Sequence, residues 1–149
     1  MKLKVTAFWL VVLAALFIFL QEYSKFHFFF IEQSQLFQFT GEYISEKLAM
    51  PGGFALTLSE FLVQFLIYPY AGAGITAGLL LLTGLGMRGI VRRIASDTNC
   101  FLLYLIPVVL IMFLHFDFNY LVFGTIAFNM MLCALYLCFC ISTDKWRMI

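Results

Sequence analysis

The fold class of this chain follows from the stretch AGAGITAGLLLLTGLGMRGIVRR at residues 71–93. Its first part, residues 71–87, is apolar and rich in glycine and alanine, and Arg88, Arg92 and Arg93 come soon after it. A long apolar run is typical of a membrane-spanning helix, and clustered arginines mark the cytoplasmic end of such a helix. The stretch therefore predicts a transmembrane helix at residues 71–87, followed by a short cytoplasmic loop that contains the arginines.

The composition of the whole chain also indicates a membrane protein. Hydrophobic residues make up 64% of the 149 residues and charged residues only 11%. A soluble domain contains about 25% charged residues, because its surface must face water. The formal net charge of +1 gives no basis for a nucleic-acid partner. We therefore expect one all-α integral membrane domain over residues 1–149, with the lipid bilayer as its surroundings.

Three further apolar runs predict spans at residues 5–22, 101–116 and 120–142, which makes four transmembrane helices in total. Pro107 lies inside the third span, where a proline is tolerated and usually kinks the helix. The first run also resembles the apolar part of a secretory signal peptide. However, no small-x-small cleavage site follows it, so we expect an uncleaved helix.

The distribution of basic residues predicts the orientation of these helices. With both termini in the cytoplasm, seven of the nine basic residues lie on the cytoplasmic side, and the opposite orientation would reverse that ratio. The positive-inside rule therefore favours this topology, in the inner membrane of a bacterium. The cytoplasmic residues are Lys2, Lys4, Arg88, Arg92, Arg93, Lys145 and Arg147, and Lys25 and Lys47 lie outside.

The long external loop between the first two spans predicts two amphipathic juxtamembrane helices. Apolar residues recur at three and four positions within residues 26–48, opposite a polar face, and many are aromatic. The sequence Pro51-Gly52-Gly53 breaks the chain before a second such stretch at residues 54–67. That second stretch also fits a re-entrant segment or a fifth span. Full crossing would place the arginines outside, and charge placement argues against it.

The cysteines and the small residues have simpler interpretations. Cys100, Cys133, Cys138 and Cys140 lack the spacing of a zinc site, so we predict no metal ligation by these side chains and interpret them as buried thiols. Gly74 and Gly78 form a GxxxG pattern, which lets helix backbones approach closely in lipid. We expect this pair to serve helix packing within the chain, with association with another chain as the alternative.

The polar side chains that could act on a substrate lie in the two external loops. Glu32 stands in an aromatic setting where a carboxylate is costly, and Asp117 lies in the short second loop. These two are the candidate catalytic residues, although a headgroup-facing carboxylate and a helix-capping turn explain them equally simply. The candidate substrate-binding residues are His27, Gln33, Gln35, Glu60, Gln64 and His115.

One resemblance concerns the sequence FFFIEQSQLFQFT at residues 28–40 and FLVQF at residues 61–65, before the glycine-rich helix. These stretches resemble the start of a multi-pass membrane protein family of unknown function from Bacteroidota. In that family, the Glu-Gln-x-Gln-Leu-Phe element follows the first membrane helix, and members continue with further helices. The resemblance implies that this chain is similar to the amino-terminal part of such a protein.

A second resemblance is architectural. Polyprenyl-phosphate-dependent glycosyltransferases of the type C membrane fold also begin with a helix, a long external loop with two juxtamembrane helices, and a second span. By position, Glu32 and Asp117 would stand for the acidic residues of the first and second external loops, with His115 beside Asp117. The resemblance implies a base, a phosphate-binding divalent cation and a lipid-linked sugar substrate. The chain lacks the DxD pattern of that family.

Two functions follow from these observations. The first is a packing or assembly module of a larger membrane protein or complex, with another membrane subunit as partner. The alternative is the amino-terminal module of a lipid-linked sugar transferase that acts at the outer face of the membrane. A channel or transporter is disfavoured, because the spans contain few polar residues beyond threonines and Asn129.

Overall fold

The computed structural model describes residues 2–68, 70–94 and 101–141, and in these residues it contains seven helices. In chain order they are α1 (Lys2–Tyr23), α2 (Lys25–Ser34), α3 (Gly41–Ala49), α4 (Gly53–Val63), α5 (Ala71–Ile94), α6 (Phe101–Leu114) and α7 (Val122–Ile141). The predicted all-α class is confirmed for this part of the chain.

Three of the helices are long and apolar enough to cross a membrane. The qualifying segments are Val5–Tyr23 in α1, Ala71–Ile94 in α5 and Val122–Cys140 in α7. Helix α6 has 14 residues, which rise about 21 Å against a hydrocarbon core of about 30 Å. The structure therefore supports a membrane protein with three clear candidate spans, and α6 is shorter than the span predicted at residues 101–116.

Helix α5 is the centre of the bundle and packs against α1, α6 and α7. Its small residues allow this. A Cβ atom at Gly84 would lie 2.6 Å from the Trp9 ring of α1, so only glycine lets α1 approach this closely. Fully buried apolar residues from several helices surround α5 and form the main core. They include Leu20, Ile31, Val63, Ala77, Leu80, Val108 and Ile126.

The bundle has two chemically different ends. At the end that we call the basic end, Arg88, Arg92 and Arg93 lie on the last turns of α5. Trp9 near the start of α1, Val91 of α5 and Tyr104 near the start of α6 pack together there. Helices α1 and α6 therefore run antiparallel to α5.

The opposite end bears the cap, by which we mean residues 24–68 with helices α2, α3 and α4. Helix α4 packs against α7, and α3 packs against α4. Helix α7 runs parallel to α5, since Leu132 lies beside Gly86 and Tyr136 beside Gly89 one turn further along both helices. The cap and the basic end are therefore separated by the length of α5.

A polar contact joins α5 and α7 in the apolar layer. The Asn129 side-chain nitrogen donates to the carbonyl oxygens of Leu79, at 3.2 Å, and Thr125, at 3.0 Å. The Thr83 hydroxyl donates to the Asn129 side-chain oxygen at 3.2 Å. This interhelical hydrogen bonding gives Asn129 the partners that an amide in an apolar layer needs.

The single helix predicted over residues 26–48 is wrong, because the chain forms α2 and α3 with an extended segment between them. Gln35 ends α2 with φ −128° and ψ 99°. Side chains from α3 and α4 bond the carbonyl groups that the break exposes. Gln64 Nε2 donates to the Gln35 carbonyl oxygen at 2.9 Å, and the Tyr43 hydroxyl lies 3.1 Å from the Leu36 carbonyl oxygen. Partners distant in sequence therefore compensate for the lost helical bonds.

Helix α4 begins after a sharp turn and is shorter than predicted. Gly52 has φ +73°, a left-handed conformation that glycine adopts without steric cost. The helix ends at Val63 instead of residue 67. Its 11 residues rise about 16 Å, which is too short to cross a bilayer. The alternative of a fifth span at residues 54–67 is therefore wrong.

The arginines also lie elsewhere than predicted. They were expected in a polar loop after residue 87, but α5 continues to Ile94 and includes Arg88, Arg92 and Arg93. Positively charged side chains in the last turn of a helix interact favourably with its carbonyl end. The guanidinium groups are thereby held on a rigid helix.

Candidate functional site

A carboxylate is enclosed in the cap, and we call Glu60 with Tyr43 and Lys47 the acid cluster. Glu60 lies on α4 and is only 8% exposed. Lys47 Nζ donates to Glu60 Oε1 at 2.8 Å, and the Tyr43 hydroxyl donates to Glu60 Oε2 at 2.6 Å. Both partners come from α3, where positions four apart lie on the same face. The acid cluster therefore fastens α3 to α4.

The aromatic side chains around the acid cluster exclude water from one side of it. Phe37 contacts Tyr43 and Phe61 edge to face, with ring centroids 5.7 Å apart in both pairs. Lys47 Nζ lies 5.3 Å from the centre of the Tyr43 ring. The Glu60 side chain is the more enclosed partner of the ion pair, at 11% exposed against 24% for Lys47.

The two donors of the acid cluster respond to this setting in the expected directions. The hydrogen bond to Glu60 raises the pKa of Lys47, which keeps the ammonium charged. Burial, together with the hydrogen bond to the negatively charged Glu60, raises the pKa of the Tyr43 hydroxyl. Both carboxylate oxygens of Glu60 are bonded, so this group is a structural anion and not a free base.

A second group of polar side chains lies where α2, α6 and α7 meet, and we call it the histidine cluster. Its members are His27, His115, Asp117, Tyr120 and Thr125. His115 is 4% exposed, and its Nε2 atom lies 2.9 Å from Thr125 Oγ1. The Tyr120 hydroxyl lies 3.1 Å from the same Thr125 oxygen. The turn after α6 thus places an imidazole against the first turns of α7.

The imidazoles of the histidine cluster are neutral near pH 7. Burial lowers the pKa of His115 to about 4, and the neighbouring His27 adds to this effect. Burial also lowers the pKa of His27, while the Asp117 carboxylate partly opposes the change. His27 Nε2 is buried without a hydrogen-bond partner, and the His27 ring packs 5.0 Å from that of Phe118.

The structure places the predicted site residues in separate surroundings. Glu32 is half-buried on α2, and its side chain takes part in none of the hydrogen bonds or ion pairs of the described residues. Asp117 is exposed and accepts a bond from the Asn119 backbone at 2.9 Å. None of the hydrogen bonds and ion pairs of the described residues involves both Glu32 and Asp117. Their predicted catalytic roles stay predictions.

The predicted substrate-binding residues divide between the two clusters. Glu60 belongs to the acid cluster, and His27 and His115 belong to the histidine cluster. The Gln64 side chain donates a hydrogen bond to the carbonyl group of Gln35, the residue that ends α2. The side-chain oxygen of Gln35 is buried without a partner. Gln33 is exposed. Their roles in binding a substrate likewise stay predictions.

Sequence reasoning missed the partners of these residues. Tyr43 and Lys47 were placed on an amphipathic helix, and Thr125 was counted only as a polar residue in a span. The spacing of Tyr43 and Lys47, four residues apart, puts both on one helix face, which is a usable signal. No local pattern predicts that this face meets Glu60, because 13 residues and a turn separate Lys47 from it.

Metal binding has little support in the described residues. None of their His, Cys, Asp and Glu side chains form a group of three or more that could hold a metal ion. The divalent cation implied by the transferase resemblance therefore lacks a fitting ligand set in this part of the chain. Cys133, Cys138 and Cys140 are free thiols, the first two exposed instead of buried as predicted, and Cys100 lies outside the described residues.

The whole chain, residues 1–149, matches a protein family of unknown function, DUF6057. The chain belongs to this family. No curated protein and no solved structure matches it. The expected membership of a family of unknown function is thus confirmed.

The GxxxG pair of this DUF6057 chain does not pack within the chain as expected. A Cβ atom at Gly78 would meet nothing within 4 Å, and one at Gly74 would only touch Phe17 at 3.8 Å. The closely packed glycines of α5 lie elsewhere. A Cβ at Gly72 would lie 2.7 Å from Phe28, and one at Gly89 would lie 3.2 Å from Tyr136. Gly74 and Gly78 are instead on an open face of α5.

Proposed function

We propose that this DUF6057 chain is a four-span membrane module whose open α5 face binds a transmembrane helix of another membrane subunit. The number of spans has topological support. Helices α5 and α7 run parallel, and both are long enough to span. Two parallel spans require the chain to cross back between them, and α6 is the helix that runs in the opposite direction.

The orientation follows from the charges. Arg88, Arg92 and Arg93 lie at one end of the bundle together with the start of α1, which contains Lys2 and Lys4. By the positive-inside rule, this end faces the cytoplasm and the cap lies on the outer side of a bacterial inner membrane. The exposed aromatic residues of the cap, such as Phe39 and Phe54, would then lie at headgroup depth.

The observation that carries the assembly role is the contrast between the glycines of α5. Gly72, Gly84, Gly86 and Gly89 are each in close contact with a side chain of the same molecule. In the same helix, a Cβ atom at Gly78 would meet open space, and one at Gly74 would make only an ordinary contact with Phe17. A glycine inside a helix costs about 0.5–1 kcal/mol relative to alanine, so lipid contact alone does not explain a pair of them.

A second helix explains the open pair physically. Helices associate in lipid mainly through close packing and Cα–H contacts, and glycine allows the shortest approach of two backbones. Gly74 and Gly78 are separated by one helical turn, so they form a shallow notch on α5. The partner is therefore a transmembrane helix of another membrane subunit, with small residues of its own.

The transferase alternative has less support from the geometry. It requires a free carboxylate near a second acidic group, but Glu60 is neutralised by Lys47. Of the acids assigned by the resemblance, Asp117 is exposed and bonds Asn119 in its own turn. The assembly role requires none of these groups to react.

The test compares Gly78→Leu with Ala134→Leu, which adds a similar side chain to the exposed face of α7. A tagged chain is purified from its native membrane in mild detergent, and the bound partner is quantified. We expect Gly78→Leu to reduce the bound fraction by about tenfold, which corresponds to a loss of about 1.4 kcal/mol of binding free energy. Ala134→Leu should leave it unchanged.

Thermal unfolding of both variants is the control for correct folding. Their melting temperatures should match that of the wild type because both positions face open space. A wild-type chain that purifies as a monomer without partner would overturn the assembly role. An equal loss of partner in both variants would also do so, since it would indicate a general effect of added bulk.

A further inference from the structure

Beyond the assembly role, we propose that the groove between α5 and α7 at the basic end is a binding site for one anionic phospholipid. The groove has a charged part and an apolar part. The charged part encloses about 310 Å³ and is lined by Leu85, Arg88, Gly89, Arg92, Arg93 and Tyr136. Three guanidinium groups therefore border one small space.

The apolar part continues from the charged part towards the middle of the bilayer. It encloses about 520 Å³ and shares Leu85, Gly89 and Tyr136 with the charged part. Its further lining is almost entirely apolar, with Leu82, Leu132 and Leu137 among the residues. A ligand that fills both parts has a negatively charged group at one end and a hydrocarbon chain at the other.

The groove exists because of where the glycines of α5 lie. Gly86 and Gly89 face Leu132 and Tyr136 of α7, and at both positions a Cβ atom would come within about 3.3 Å of those side chains. The missing side chains let α7 pack closely against α5, and both parts of the groove border this contact. The groove is distinct from the notch at Gly74 and Gly78, which lies nearer the cap.

The arginines at the mouth of the groove form no ion pair with the described residues. Within residues 2–68, 70–94 and 101–141, the ion pairs are those of Lys25 and Lys47, and none involves an arginine. Arg93 contacts Tyr136, with its guanidinium carbon 5.5 Å from the ring centre, and donates to Cys140 Sγ at 3.2 Å. Arginine binds phosphate through two parallel hydrogen bonds, so this cluster is complementary to a phosphodiester.

A membrane lipid is the occupant that fits best. Basic pockets between transmembrane helices on the cytoplasmic side commonly bind anionic headgroups, and each basic residue near the surface contributes about 1 kcal/mol. A free phosphate ion would satisfy the arginines but leave the apolar part empty. The lipid brings its phosphate and an acyl chain together, with its headgroup at the level of the arginines.

The test uses native mass spectrometry of the purified full chain in detergent, titrated with dioleoyl-phosphatidylglycerol or dioleoyl-phosphatidylcholine. We expect one phosphatidylglycerol adduct that binds about tenfold more tightly than phosphatidylcholine. Arg88→Gln with Arg92→Gln should weaken the adduct about tenfold or more, as two lost charges of about 1 kcal/mol each require. Lys2→Gln with Lys4→Gln removes equal charge at the same end and should change binding less than about twofold.

Two further variants test the contributions of the charged part and the apolar part of the groove one at a time. The double substitution Arg88→Lys with Arg92→Lys keeps the positive charge and the topology. It should restore only part of the phosphatidylglycerol affinity that the glutamine double substitution removes. Cys133→Phe narrows the apolar part of the groove. It should weaken phosphatidylglycerol binding although the arginines are intact. Millimolar inorganic phosphate should not displace the lipid.

Equal affinity for both lipids, or an equal effect of the arginine and lysine double substitutions, would overturn the proposal. Displacement of the lipid by phosphate, with no effect of Cys133→Phe, would indicate a simple anion site and would overturn it as well. These measurements need no partner subunit, so their outcome is independent of the assembly role.

Discussion

The cap and the basic end of the bundle use their charged groups in opposite ways. In the cap, the Glu60 carboxylate is buried, and Tyr43 and Lys47 bond both of its oxygens. At the basic end, Arg88 and Arg92 have no ion-pair partner among the described residues. The difference indicates that the cap charges serve to fold the chain, whereas the basic-end charges are available to a ligand.

Of the substitutions that test this difference, removal of the Lys47 charge should change the free energy of unfolding most. We expect Lys47→Met to lower the free energy of unfolding by about 3 kcal/mol, because it leaves a buried carboxylate without its cation. Glu60→Gln is the matched control and should cost only about 1 kcal/mol. Tyr43 can still donate to the amide oxygen, and the partly exposed Lys47 can reach water.

Unfolding of both variants in detergent, followed by circular dichroism, measures this asymmetry. If the two substitutions cost the same, or if Lys47→Met is neutral, the acid cluster is not the part of the fold that we describe.

Acid should weaken the cap through the histidine cluster. The folded-state pKa of His115 is about 4, below its ordinary value of 6.5. The unfolded chain therefore binds more protons between these values, and the stabilisation present above pH 6.5 is lost as the pH falls towards 4. The linkage predicts a loss on the order of 3 kcal/mol from His115, with His27 adding in the same direction.

Melting temperatures of the wild type and His115→Gln from pH 7.5 to pH 4 test this expectation. The variant keeps a polar group near Thr125 but cannot gain a proton, so its curve should be flatter. The other groups are the same in both proteins, so their contribution cancels in the difference. Parallel curves would contradict a buried neutral His115.

The smallest effect on stability is expected at the basic end. Arg88→Gln with Arg92→Gln should change the free energy of unfolding by less than about 0.5 kcal/mol in detergent without anionic lipid, because no internal partner is lost. Added phosphatidylglycerol should then stabilise the wild type and not the variant. A large loss without lipid would show that the arginines support the fold itself.

The parts of the fold that were predicted correctly depend on local chemistry. The α5 stretch begins at Ala71 as its apolar pattern indicated, and α7 lies within the predicted residues 120–142. The parts that were predicted incorrectly depend on distant partners. The break at Gln35 is stabilised by Gln64, which lies 29 residues further along the chain.

The candidate sites likewise could be predicted from the sequence only where they do not depend on distant partners. Glu60, His27 and His115 were predicted as candidate substrate-binding residues of the external loops, and all three are buried. Their partners were not identified, because Lys47, Thr125 and Tyr120 resemble ordinary surface or capping residues. The pair Gly74 and Gly78 was expected to pack within the chain, and only the positions of α1, α6 and α7 show that its face is open.

Composition and apolar run length were sufficient to predict an all-α membrane protein, because a long apolar helix bonds its own backbone groups and so suits the interior of a bilayer. Three-dimensional packing was needed to establish which polar groups are neutralised, which glycines are covered and where a groove remains. Those properties depend on which helices become neighbours. Side chains far apart in sequence meet only after the bundle has formed around α5.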